Sequence, residues 1–368
     1  MKNVLMITNQ VKTYALGFKI AIESILKTNN KVFWAANFSN FVDDYDKIPC
    51  TIIDVPIKSN PLCYSNKKAY NQLKKIIKDN NIDAIYCATP IGGLLGRLLG
   101  KNCNIKKVIY AAHGLLFFKG AGLINNTVYK LQESVCAKWT DTIITITHED
   151  YISSQKLKIR GNKRFLVHGA GIIAEQEKRK KHFYFDELSI PKDAFVLISG
   201  GFLNKNKNNI IVIKALAYLN DKSVYYIVCG EGEESVRLKK RTKQLGLENN
   251  IKFLGFRKDF HNLLLSSDCF IMPSFREGVP RSLLEAMNIG LPCIGSKTRG
   301  ITELIGQNEE GGILCEASDY KAFARAIKKI KNEELNLDII GERNQSEAKK
   351  YSSEVVRKEL EEIFNQVL

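Results

Sequence analysis

No apolar run in this 368-residue sequence reaches the roughly 18 residues of a membrane-spanning helix, so none is expected. A secretory leader is not expected either. Val4–Ile7 is too short for a signal-peptide core, and no small-residue cleavage site follows it. The nine cysteines, at 50, 63, 87, 103, 136, 229, 269, 293 and 315, are odd in number and form no CxxC pair. That pattern argues against a zinc or disulfide framework and for buried thiols in a reducing cytoplasm. There is no short-period repeat and no low-complexity tract. Acidic residues are the scarcer charge: 39 Asp and Glu stand against 55 Lys and Arg, a formal net charge of +16. With 45% hydrophobic and 26% charged residues the chain reads as a folded soluble protein, long enough for two domains with separate cores. The excess positive charge admits nucleic acid, a membrane surface or anionic substrates.

Short Val- and Ile-rich runs alternate with helical patterns. In the first half, strands are expected at Val4–Thr8, Lys31–Ala35, Ala84–Cys87, Lys107–Ala111 and Thr142–Thr145, with helices at Lys19–Lys27, Lys67–Asp79, Gly92–Leu99 and Asn125–Ala137. The second half repeats this with strands at Phe195–Ser199, Val224–Cys229, Ile251–Phe253, Cys269–Met272 and Pro292–Gly295. Its helices are expected at Asn209–Tyr218, Glu233–Leu245, Phe260–Ser266 and Arg281–Asn288. Strands separated by helix-length segments imply parallel sheets with crossover helices. The fold class is therefore α/β: two Rossmann-like, doubly wound domains, at 1–171 and 192–350. A linker at 172–191 contains the charge run Glu175–Lys181. An amphipathic helix in 351–368 is expected to pack back on the first domain. Residues 1–184 carry 28 Lys and Arg against 13 Asp and Glu, so nearly all the excess charge lies in the first half.

The strongest chemical signal is the segment from Ser274 to Met287, SFREGVPRSLLEAM. A buried strand runs into a Gly-containing loop, and Pro280 is placed to open a helix. The amides of Gly278, Val279, Pro280 and Arg281, with the positive end of that helix, would cradle phosphate at the C-terminal edge of a parallel sheet. Glu277 in the loop and Glu285 in the helix suit sugar and ribose hydroxyls, because a carboxylate accepts two hydrogen bonds at once. Asp43, Asp44 and Asp46 lack His or Glu support, so no metal is expected. No Ser–His–Asp or Cys–His arrangement is supported by the spacings.

Two glutamates separated by seven residues in FREGVPRSLLEAM resemble the donor-site motif of glycosyltransferase family 4. Five further segments match in the same order: TPIGGLLGR (89–97), VIYAAHGLLFFKGAG (108–122), TDTIITITHEDY (140–151), GGFLNKNKNN (200–209) and IVCGEGEE (227–234). The resemblance is closest to bacterial capsule and exopolysaccharide enzymes. It implies the GT-B fold, with two domains facing across a cleft, and a retaining transferase needing no metal cofactor. It places Glu277 at donor-sugar hydroxyls, Glu285 at the ribose and Lys207 at the diphosphate. Gly201 marks the glycine strand end before that lysine. Phe202 or Leu203 stands where many members carry a second cation, so Arg281 or Arg276 becomes the candidate for that role. Gly230 belongs to the glycine turn near the base, and Phe256 and Arg257 sit where relatives hold the uracil. His113 would reach the donor sugar from the first domain and help settle charge in the transition state.

Two further features bear on the acceptor. Leu115, Leu116, Phe117, Phe118 and Lys119 form an apolar, Gly-flanked segment that could meet lipid or a hydrophobic carrier. Lys67, Lys68, Lys74 and Lys75, with Lys78, line a helix beside Leu73, Ile76 and Ile77, a basic amphipathic face suited to an anionic bilayer. The sequence thus predicts transfer from a nucleotide sugar, a UDP-sugar, to a polyprenyl-diphosphate-linked saccharide. The enzyme would rest peripherally on the inner face of the cell membrane. A UDP-sugar 2-epimerase shares the two-domain plan but would need additional acid–base groups. A nucleic-acid binder would use the charge, but the basic motif interleaved with aromatics is missing.

Overall fold

The computed structural model describes residues 1–11, 15–44, 47–118, 122–174 and 186–368. They divide into two compact units, Met1–Gly171 with Ser353–Leu368, and Ile172–Ser352. The charge run Glu175–Lys181, His182, Asp46 and Lys119 lie outside the described residues.

The first unit runs β1 (Asn3–Gln10), α1 (Leu16–Lys27), β2 (Lys31–Asn37), β3 (Thr51–Asp54), α2 (Tyr64–Asp79), β4 (Ala84–Ala88), α3 (Pro90–Asn102), β5 (Lys107–Ala112), α4 (Leu123–Ala137), β6 (Thr142–Thr145), α5 (His148–Gln155) and β7 (Lys163–Leu166). All strands pair in parallel in the order β3-β2-β1-β4-β5-β6-β7. A parallel sheet covered on both faces needs apolar residues at every position, and β4 (AIYCA) is buried throughout. Ile85 and Cys87 face a core shared with α2 and α3, whereas Tyr86 points the other way onto Phe364. Helix α3 lies very close to the sheet. A Cβ on Gly93 would stand 2.4 Å from the Tyr110 ring, and one on Gly96 would stand 2.5 Å from Cys87 Cβ.

The second unit runs β8 (Phe195–Gly200), a 3-10 turn (Lys205–Lys207), α6 (Ile210–Leu219), β9 (Val224–Cys229), α7 (Ser235–Gln244), β10 (Ile251–Gly255), α8 (Phe260–Leu265), β11 (Cys269–Met272), α9 (Arg281–Asn288), β12 (Cys293–Ser296), α10 (Arg299–Ile305), β13 (Gly312–Cys315), α11 (Tyr320–Lys331) and α12 (Leu337–Lys349). Its strands are also parallel, in the order β10-β9-β8-β11-β12-β13, with a hydrophobic core on each face. The chain then forms α13 (Ser353–Val367), which belongs to the first unit and packs on α1. Arg357 pairs with Glu23, and Lys27 with Glu361.

Both sheets reverse strand order once, between β1 and β4 and between β8 and β11. Adjacent crossovers there leave on opposite faces, so the C-terminal strand ends open a crevice in which ligands of such folds sit. All nine cysteines are free thiols, and six of them are buried. Burial pushes the Cys87, Cys229 and Cys315 thiols up to about 12.

Candidate functional site: a phosphate cradle at the β8/β11 switch point

The β8/β11 crevice is lined by Ser199, Gly200, Gly201, Lys207, Met272, Pro273 and Ser274. Three asparagines order its two loops, and two of them, Asn206 and Asn208, bond across from one loop to the other. Asn204 caps the 3-10 turn by accepting from the Lys207 amide at 3.0 Å. Asn206 donates to the Arg276 carbonyl at 2.9 Å and accepts from the Phe275 amide at 2.8 Å. Asn208, left-handed at φ 54°, donates to Pro273 O at 3.0 Å and Ala317 O at 2.8 Å. Asparagine tolerates that backbone conformation better than most residues. Lys207 is thereby held over Gly201, where a Cβ would stand 3.3 Å from the lysine Cε. Its ammonium lies 2.7 Å from Glu277 Oε1, with both side chains largely shielded from solvent.

Helix α9 begins at Arg281, and Pro280 is its N-cap, in extended geometry. This corrects the expectation that Pro280 opens the helix. Proline also has no N–H, so the amides that a phosphate cradle would use are limited to those of Gly278, Val279 and Arg281. No side chain caps α9, and its first amides and positive dipole end remain available to an anion. Ser282 Oγ donates to Gly200 O at 3.0 Å, anchoring that end to β8. Glu285 accepts from Arg281 Nε at 2.8 Å, so each motif glutamate is paired with a cation that was itself a donor-site candidate. Ser274 Oγ is buried and has no hydrogen-bond partner among the described residues. An orphaned hydroxyl lining a pocket of this kind suits a polar ligand.

Arg299 and Gly300 were not foreseen. Arg299 Nε donates to the Glu277 carbonyl at 3.1 Å, and a Cβ on Gly300 would fall 1.3 Å from Gly278 O. The Glu277–Gly278 loop thus rests directly on the start of α10. The only signal in the sequence is a Thr-Arg-Gly following a buried strand, too common to single out. At the glycine turn, a Cβ on Gly230 would lie 1.9 Å from Gly201 O, and its φ is +138°. Close backbone approach therefore accounts for Gly230. Phe256 is 73% exposed, as a stacking platform requires. Arg257, by contrast, is bidentate to Asp259, with both contacts at 2.7 Å, and its pKa is raised by that carboxylate.

In the first unit, His113 follows β5 over a small cavity lined by Tyr86, Ala111, Ile144 and Val167. His113 is an exposed residue. Neighbouring protein nonetheless displaces part of its hydration and lowers the imidazole pKa. The next segment needs correction. Leu115 and Phe117 are buried in the core beneath α3, and Leu116 and Phe118 are half-buried. The apolar surface of Leu115 and Phe117 is consumed by packing and does not face lipid, while Leu116 and Phe118 keep part of theirs accessible. Lys67, Lys68, Lys74, Lys75 and Lys78 are all exposed on α2, while Leu73 and Ile77 face inward. Asp44 pairs loosely with Lys47. Among the described residues no cluster of three or more His, Cys, Asp or Glu is placed to hold a metal ion.

Comparison with known proteins places this geometry in a family. The model of Glycosyl transferases group 1 matches residues 180–355, and that of Glycosyl transferase 4-like matches residues 18–147. A Bacillus subtilis protein bearing the name glycosyltransferase EpsD is 32% identical over 325 residues, 84% of each chain. An Escherichia coli enzyme named UDP-Gal:alpha-D-GlcNAc-diphosphoundecaprenol alpha-1,3-galactosyltransferase is 28% identical over 281 residues, 73% of this chain and 71% of that one. Among solved structures, Anabaena HepE in complex with UDP-glucose superposes with a TM-score of 0.78 at 19% identity, covering 100% of both chains. With two parallel-sheet units, both family models and a relative of this closeness, the chain belongs to the family 4 glycosyltransferases of GT-B fold.

Proposed function

We propose that this glycosyltransferase is a retaining enzyme that moves a sugar from a UDP-sugar to an undecaprenyl-diphosphate-linked saccharide during synthesis of a bacterial surface polysaccharide. The observation that carries the reading is the pairing of Lys207 with Glu277 beside the uncapped N-terminus of α9. One cation and a set of unpaired amides face the place where a diphosphate would lie, and a carboxylate stands next to them for sugar hydroxyls. The UDP-glucose complex of HepE supports a UDP-sugar donor. The names of the Escherichia coli relative and of a Campylobacter jejuni N-acetylgalactosaminyltransferase acting on a diphospho-undecaprenol substrate support the lipid-linked acceptor.

Lys207 and the α9 amides would neutralise the departing diphosphate, which in a retaining transfer leaves from the face that the acceptor hydroxyl approaches. The C1–O bond to phosphate breaks, the C1–O bond to the acceptor forms, and the acceptor's proton passes to a leaving phosphate oxygen. Glu277 fixes the sugar through its hydroxyls, Glu285 holds the ribose, and Phe256 stacks on the base. Arg257 is tied to Asp259 and serves the base by its backbone. Electrostatic stabilisation of this kind is commonly the largest single contribution to transfer rates. The test is UDP release from a panel of UDP-sugars, with and without a prenyl-diphosphate-linked acceptor. Acceptor-dependent release is expected; a panel in which no donor raises thermal stability and no acceptor stimulates release would overturn the proposal.

A further inference from the structure

The 3-10 turn that carries Lys207 has a second flank. Lys207 lines the phosphate crevice, whereas Asn204, Lys205 and Asn208 of the same loop line a separate pocket of about 250 Å³. Its other walls are Glu234, Arg237 and Leu238 at the start of α7, and Phe275 in the loop after β11. Of their lining residues the two cavities share only Asn209. The pocket holds charge that the protein leaves unused. Lys205 is exposed and makes no ion pair among the described residues. Arg237 spends one amino group on Glu234 Oε2, at 2.8 Å, and keeps its remaining N–H groups.

Hydrogen-bonding capacity is unused there as well. Asn208 and Asn209 are only 6% and 7% exposed. Each donates through Nδ2, Asn208 to Pro273 O and Ala317 O, and Asn209 to Ser199 Oγ and Tyr226 Oη at 3.4 and 3.3 Å. Neither carboxamide oxygen accepts a hydrogen bond among the described residues. A buried acceptor in that state calls for a donor from a ligand or water. Helices α6 and α7 both begin at this pocket, and neither has a side-chain cap, so two positive dipole ends add to the cations. Beside them, Leu238 is buried and the Phe275 ring is 49% exposed.

Lys205, Arg237 and the helix ends call for an anion, and phosphate suits them best because it offers several strong acceptor oxygens. The oxygens of Asn208, Asn209 and Glu234 call for hydroxyl donors, and Phe275 offers an apolar platform to the C–H face of a sugar ring. The volume lies below the roughly 300–1,000 Å³ of drug-sized sites, room for a monosaccharide phosphate but tight for a nucleotide. We propose that this pocket is a second ligand site, for a phosphorylated monosaccharide, back to back with the phosphate crevice. Its occupant bonds Lys205 and Asn208, on either side of Lys207, and so holds the turn that presents the Lys207 ammonium to a diphosphate. Occupation of the two flanks is then mutually favourable, and by linkage each ligand raises the other's affinity by the same factor. The coupling rests on the reading of a UDP-sugar donor, whereas occupancy of the pocket does not, so either can fail alone.

The probe is glucose 6-phosphate, titrated calorimetrically into the full chain with UDP at saturation, so that the donor crevice is already filled. Glucose and inorganic phosphate are the two half-ligands, and the sugar phosphate is expected to bind more tightly than either. Lys205→Gln and Arg237→Gln should each weaken it about tenfold, the loss of one charge-assisted hydrogen bond. Both side chains are exposed, so the melting temperature should not change. Glucose 6-phosphate should tighten UDP binding at least about fivefold. The double variant should bind UDP as the parent does alone but lose that gain. No binding beside saturating UDP would overturn the proposal, as would binding that both variants retain. Inorganic phosphate binding as tightly as the sugar phosphate would make the pocket a simple anion site and overturn the sugar assignment. An unchanged UDP affinity would overturn the coupling.

Discussion

Replacing Lys207 by glutamine tests whether this lysine serves chemistry or only structure. The Lys207–Glu277 contact of 2.7 Å corresponds to about 6 kcal/mol of gross attraction at an effective dielectric constant of about 20. Desolvation and loss of side-chain freedom cancel most of that, leaving on the order of 1 kcal/mol, near the upper end for pairs that keep some contact with water. In a unit of this size, that lowers the melting temperature by about 2–4 °C. The effect on transfer should be far larger. Removing a charge aimed at developing negative charge in a preorganised site costs about 2.7–4 kcal/mol, or two to three orders of magnitude in kcat. Glutamine preserves length and a hydrogen-bond donor, so the loss reports charge. Combining Lys207→Gln with Glu277→Gln should be markedly less than additive, because the two side chains act as a unit. Single-turnover UDP release and thermal melts supply both numbers. A Lys207→Gln enzyme within threefold of the parent kcat, or an activity loss matching its unfolded fraction, would refute the assignment of Lys207 to the leaving group.

Two other substitutions probe the scaffold. Glu133→Gln should destabilise the first unit by about 3–5 kcal/mol in denaturant unfolding, since it strands the buried Arg97 guanidinium; a loss below about 1 kcal/mol would contradict that picture. Gly230→Ala should weaken UDP binding at least tenfold by driving a methyl group into the Gly201 carbonyl. Gly246→Ala, also at positive φ but with nothing within 4 Å, should cost only about 1 kcal/mol of backbone strain, and equal effects at the two sites would show that crowding is not the cause.

The central strands of both units were legible because burial on both faces leaves unbroken apolar runs such as Phe195–Gly200 and Cys269–Met272. Of the four edge strands, β10 was expected, but β3, β7 and β13 were not. The patterns of β3 and β7 are only partly buried, and they carry neither a continuous run nor a clean alternation, so they are absent from the expected elements. The helices after Gly295, α10 to α12, were likewise left unassigned. Within the site, Glu277 and Glu285 stood out by their strand–loop–helix setting with Gly278 and Pro280, whereas Lys207 was singled out through the resemblance to family 4. Arg299 could not be named, because its role depends on a carbonyl 22 residues away in sequence.

Helix α4, whose Ile124, Val128, Leu131 and Val135 form an exposed apolar stripe, shows a deeper limit. Periodicity locates an apolar face but does not say which way it points, and burial of that face is the usual expectation. The direction here is set by a polar contact. Glu133, midway along the helix, has a partner in Arg97 from the TPIGGLLGR segment, and an acid so paired can face the core while Leu131, two residues earlier, faces out. Neither residue alone carries that information. Only their pairing through α3, itself brought within reach by glycines that let it settle onto Tyr110 and Cys87, converts an ordinary amphipathic pattern into an outward-facing one. The glycines, the buried ion pair and the exposed stripe are thus successive consequences of one packing arrangement.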